Sequence, residues 1–200
     1  MKNLVKGALI VLGVFSCTNL LAQSENSKPK SAAMEAGEKA WMEYMTPGMA
    51  HQMLAKSDGE WQEELTFWME PGAEPVKSKT TAVNKMIMDG RYQHSTHTGL
   101  VMGMPFEGIG ITGYDNAKKM FVSNWIDNMG TGMMYSEGKW NEANKTIEFK
   151  GMAVDPVSGK ELKVRQVLKL VDANTETMEM FTTKDGKEFK SMEIKMTRKM

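Results

Sequence analysis

Residues 99–127 read GLVMGMPFEGIGITGYDNAKKMFVSNWID, and this stretch decides the kind of sheet the chain builds. Five glycines (Gly99, Gly103, Gly108, Gly110, Gly113) fall within fifteen residues. Gly108, Ile109, Gly110 and Ile111 alternate glycine with a β-branched residue. Glycine weakens a strand, so its repeated use predicts bends, bulges or a close approach to the backbone. Tyr114-Asp115-Asn116-Ala117-Lys118 predicts a turn, because Asp and Asn bond to their own backbone. An extended pattern resumes from Met120 to Asp127. Two antiparallel strands at the corner of a curved sheet follow from this.

Working outward, the rest of the chain reads as more of the same sheet. Ala32–Met45 is rich in helix formers, with Trp41, Met42 and Met45 at helical spacing, and a second short helix follows from Pro47 to about Lys56. From Glu60 the period becomes two: Trp61, Leu65, Phe67 and Met69 alternate with Glu60, Gln62, Glu64 and Thr66. Val76–Met88 puts Ala82, Asn84, Met86 and Met88 on one face, and Asp89-Gly90 marks a tight hairpin. Further extended runs follow, separated by turns at Asn141–Asn144, Asp155–Gly159, Asp172–Thr175 and Asp185–Lys187. The fold class expected is mainly β: an antiparallel up-and-down barrel of about ten strands, with one or two short N-terminal helices. Closure removes the edges an open sheet would expose.

The 25 basic and 25 acidic residues balance, which leaves no basic excess to follow a nucleic-acid backbone. Lys2 and Lys6 precede the apolar run Gly7–Phe15, which is too short to span a bilayer and reads as an export signal. Cleavage after Ala22 removes the one cysteine and leaves 23 basic against 25 acidic residues, a net charge of −2. The alternative is a lipoprotein box ending in Cys17, which would tether the protein to a membrane. The expected division is a signal at 1–22, a linker and helix at 23–46, and the barrel at 47–200. A periplasmic or secreted location follows.

The residues His51…Leu54…Gly59-x-Trp61, Trp68 with Pro71-Gly72, Gly90-Arg91-Tyr92, Pro105-Phe106-Glu107-Gly108, Gly113-Tyr114-Asp115 and Trp125-x-Asp127 carry a resemblance. In their order they resemble the DUF1579 family, bacterial proteins of unknown function, from about Gly48 to Lys199. The resemblance implies a lipocalin-like barrel and supplies no activity and no catalytic residues.

Chemistry-bearing motifs are sparse. Gly108-x-Gly110-x-x-Gly113 has dinucleotide-fingerprint spacing but no following helix. His94 and His97 stand three apart on a strand and so face opposite ways, which argues against a metal site. No cofactor is expected. The 21 methionines read as core filler, as the lining of an adaptable apolar pocket, or, around His51, as a copper stripe. Asp127 shares its face with Phe121, Ser123 and Trp125. The expected function is binding of a small apolar or amphipathic molecule inside the barrel. The candidate lining is Trp61, Phe67, Met86, Tyr92, His94, Trp125, Asp127 and Met180. Tyr92, Leu100 and Met102 place His94 on the inner face and His97 on the outer. A filled scaffold, and an enzyme using Asp127 or His94, are the alternatives.

Overall fold

The computed structural model describes residues 31–200; the export signal and most of the linker expected from the sequence lie outside them. Two helices, α1 (Ala32–Met45) and α2 (Met49–Ala55), precede ten strands. These are β1 (Gly59–Phe67), β2 (Val76–Ile87), β3 (Tyr92–Val101), β4 (Met104–Asp115) and β5 (Met120–Asp127). They continue as β6 (Met134–Asn141), β7 (Thr146–Val154), β8 (Glu161–Leu170), β9 (Thr175–Lys184) and β10 (Lys187–Arg198). Each strand pairs antiparallel with the next, and β10 returns to β1, closing an up-and-down barrel. The meander and the closure expected from turn spacing are both present.

Alternation sets what faces in. Trp61, Glu63 and Leu65 are buried on β1, while Glu60, Gln62 and Glu64 are exposed. The α2 end of the barrel is filled. Leu54 of α2 packs with Phe121, Ile147 and Phe149, and Met53, Met86, Tyr114 and Trp140 close around them. A second cluster joins Trp61, Leu65, Ala82, Ile194 and Met196 across the β1–β10 seam. Burial of side chains this large contributes roughly 1.5–3 kcal/mol each, the main favourable term available to a chain without disulfides.

This floor is also stitched by polar bonds. The Trp61 indole N–H donates to the Ser57 carbonyl at 2.9 Å, and Gln93 donates to the Leu54 carbonyl at 2.6 Å. Asp58 accepts from the Met86 N–H at 2.9 Å and from Gln93 at 3.1 Å. The Arg198 guanidinium lies 4.3 Å over the Trp61 ring and donates to the carbonyls of Lys56, Asp58 and Ala173. Ser57 donates to the buried Glu176 carboxylate. Burial pushes that carboxyl above the ordinary range, with Ser57 and Arg198 pulling it back down. His51 Nδ1 accepts from the Gly48 N–H at 2.9 Å and so fixes the start of α2. Burial lowers the His51 pKa.

Three local expectations need correction. The glycines of β4 bring no bulge, since β3–β4 keeps one register from Met104 to Gly113 and β4–β5 keeps one from Gly108 to Asp115. The methionines of α1 are not core filler, since no residue of this helix is buried. Trp41, Met42 and Met45 are all exposed, Trp41 by 64%. The hydrogen bonds that tie this helix to the barrel run from Asn116 to the carbonyls of Glu43, Tyr44 and Thr46. Met88 leaves its strand for the hairpin, where it takes φ 50° and is exposed.

Candidate functional site

Beyond the floor the inner wall changes character. Along β3 the inward residues are Gln93, Ser95 and His97, because His97 pairs with the buried Ala82 on one side and the buried Gly108 on the other. His94 pairs with Lys85 and Ile111, both exposed, and so points outward. The expected face assignment of this strand is therefore reversed. Both faces of β3 are polar, so hydrophobic contrast could not decide it, and a one-residue slip exchanges the faces.

His97 meets a partner that the sequence reading left out. Its Nδ1 lies 3.1 Å from both carboxylate oxygens of Glu63. Thr80 Oγ1 donates to Glu63 Oε2 at 2.6 Å. The Glu63 side chain is 1% exposed, whereas that of His97 is 16% exposed despite pointing inward. A buried carboxylate needs donors, and Glu63 has two. Glu63 stands in phase with Trp61 and Leu65, so an acidic residue on an otherwise apolar face was the signal that could have found it.

The glycines complete the arrangement. The Trp125 ring lies across Gly108 and Gly110. A Cβ on Gly108 would fall 2.6 and 2.7 Å from two ring carbons, and one on Gly110 would lie 3.5 Å from a third. Trp125 Nε1 donates to Asp127 Oδ2 at 2.7 Å, which locks the ring. His97 meets it edge-on at 5.0 Å between centroids, and Phe106 stacks at 6.5 Å with 22° between planes. The residue pattern of β4 is thus a bed for one large aromatic side chain.

The eight candidate lining residues separate into groups. Trp125 and Asp127 belong to the cluster just described. Phe67 and Met180 face inward: Phe67 packs on the β1–β10 core, and Met180 stands between Gln166 and Met192 in register. Trp61 and Met86 are built into the floor. Tyr92 is on the outside with its ring against Gly113, and His94 is outside as well. Among the described residues, no group of three or more His, Cys, Asp or Glu side chains could hold a metal ion.

Two hollows on the outer wall lie elsewhere. One is lined by Trp140, Glu142, Asn144 and Arg165, the other by Glu64, Thr66, Lys77 and Lys79. Several of their charged groups are paired, as in Lys145–Glu142, Arg165–Glu188 and Lys79–Glu64. Neither contains a buried polar group looking for a partner.

A closed, antiparallel ten-stranded barrel with a helix-sealed floor and a polar, aromatic inner wall is the class of protein these observations define. The chain belongs to the DUF1579 family, proteins of unknown function, whose model matches residues 46–198. No curated protein matches the chain. Its fold is similar to that in the crystal structure of Rv2717c from M. tuberculosis, with a TM-score of 0.56 at 13% identity. That match covers 78% of this chain and all of the other.

Proposed function

We propose that this protein is an exported carrier or sensor that holds a small apolar or amphipathic molecule inside the barrel. The observation that carries the reading is the contrast between the sealed floor and the inner wall beyond it. Ser95, Ser123, Trp125, Gln166 and Met180 face inward from mid-strand yet stay half-buried. His97 keeps part of its side chain accessible in the same direction. A barrel packed to its axis would bury such positions fully. The lining mixes thioethers and aromatic rings with a few fixed polar groups, the composition expected of a small-molecule site.

The test is a titration of purified protein with N-phenyl-1-naphthylamine, a neutral apolar probe that fluoresces when shielded from water. Saturable one-to-one binding with a Kd of about 1–10 μM, or roughly −8 to −7 kcal/mol, is expected. Folded protein that gives no saturable signal would sink this reading and favour a filled scaffold. Export rests on Lys2, Lys6 and the apolar run Gly7–Phe15. N-terminal sequencing of protein from the native cell should find Gln23 first. A lipidated Cys17 would instead put the barrel on a membrane surface.

A further inference from the structure

We infer that the barrel selects ligands whose polar end donates a hydrogen bond, an alcohol or an ammonium group, and that His97 Nε2 is the atom that reads it. This rests on the binding function proposed above and names the chemistry of its ligand. The argument begins at Glu63. Its buried carboxylate accepts from Thr80 Oγ1 and from the His97 ring. A carboxylate can only accept, so Nδ1 carries a proton, and in the neutral ring the lone pair is on Nε2. Among the described residues no hydrogen bond to Nε2 is formed. Nor is Nε2 a sealed, orphaned atom, because no buried side-chain nitrogen or oxygen among the described residues lacks a partner. It is an acceptor open to the lumen.

The surrounding donors are already committed. Trp125 Nε1 gives its proton to Asp127, Thr80 gives its proton to Glu63, and Ser95 Oγ lies 3.4 Å from the Gly110 carbonyl. Charge points the same way. Glu63 and Asp127 both face inward here, and β1 to β5 carry no lysine or arginine at an inward position. Lys77, Lys79 and Lys85 of β2 all stand on the outward face. A carboxylate ligand would meet two acidic groups and no lysine or arginine from these strands. An alcohol or ammonium would meet an acceptor, beside an aromatic wall that also suits a cation. Leaving a buried polar group unpaired costs far more than a matched bond gains, so the discrimination is asymmetric.

The experiment displaces bound N-phenyl-1-naphthylamine at pH 8, where imidazole in water is neutral. The competitors share a ten-carbon chain: 1-decanol, decylammonium, decyl methyl ether and decanoate. Wild-type protein should release the probe to decanol and decylammonium at concentrations about tenfold lower than to the ether or decanoate. His97→Phe, which keeps a ring beside Trp125 and removes the acceptor, should bring decanol and the ether within about threefold of each other. Decanoate competing as well as decanol in the wild type would overturn the inference without any variant. So would a His97→Phe protein that keeps the decanol preference. If the probe itself does not bind, the barrel-binding reading falls and takes this one with it. If the probe binds and all four chains compete alike, only the selectivity falls.

Discussion

Gly108→Ala is the smallest change that tests how the inner wall is built. The added methyl would sit 2.6 and 2.7 Å from two carbons of the Trp125 ring and 3.1 Å from Phe106. No real Cβ tolerates the first two distances, so the ring or the strand must shift. The ring cannot swing aside freely, because Asp127 holds its N–H at 2.7 Å and His97 lies against its edge. Overpacking of this kind costs about 1–3 kcal/mol. Replacing glycine by alanine also reduces the freedom of the unfolded chain, which returns about 0.4–1 kcal/mol. The net loss should be about 1–2 kcal/mol, or a fall in Tm of roughly 2–8 °C for a domain of this size.

The assay is urea and thermal unfolding followed by far-UV circular dichroism, with Gly130→Ala as the comparison. A methyl on Gly130 meets nothing within 4 Å, so that variant should match the wild type or slightly exceed it. A double-mutant cycle then separates contact from propensity. In a Trp125→Leu background, Gly108→Ala should be nearly neutral, giving a coupling of about 1–2 kcal/mol between the two positions. If Gly108→Ala is as stable as Gly130→Ala, or costs the same with and without the indole, the ring does not rest on Gly108 and the proposed bed is wrong.

Two further outcomes concern pH. Burial raises the folded pKa of Glu176, so the native state loses stability as pH rises from the unfolded carboxyl value through the folded one. Glu176→Gln keeps an acceptor for Ser57 and should be the more stable protein at pH 8, with the advantage closing by about pH 4; a gap that widens on acidification would contradict the assignment. His51 is shifted the other way, and its Nδ1 must stay unprotonated to accept the Gly48 N–H. Stability should therefore fall as pH drops below about 6.5, and His51→Asn, which offers an uncharged acceptor at the same helix start, should flatten that slope in urea titrations from pH 7 to 5. An unchanged slope would move the titration to another group.

How much of this was legible from the sequence depended on contrast between the two faces of each strand. Trp61, Leu65 and Phe67 announce an inner face because Glu60, Gln62, Glu64 and Thr66 alternate with them, whereas Trp125 and Asp127 share a face by their period-two spacing alone. β3 offered no such contrast, since Gln93, Ser95 and His97 oppose Tyr92, His94 and Thr96 with comparable polarity. Register would have decided it where composition could not. A two-residue turn at Met102-Gly103 pairs Val101 with Met104 and, counting back along both strands, His97 with Gly108. Gly108 in turn pairs with Asp127, so His97 shares a face with the aromatic-acidic pair. Glu63 is hard to read for the opposite reason: Trp61, Leu65 and Phe67 mark its face as apolar, and an acid in phase with them breaks that pattern only once. Both misses arise where the inner wall departs from a hydrophobic core. A polar inward face needs a stabilising partner other than burial. Here Glu63, Thr80 and His97 supply one another, so the weakest face signal in the sequence falls on a bonded polar cluster and not on a hydrophobic core.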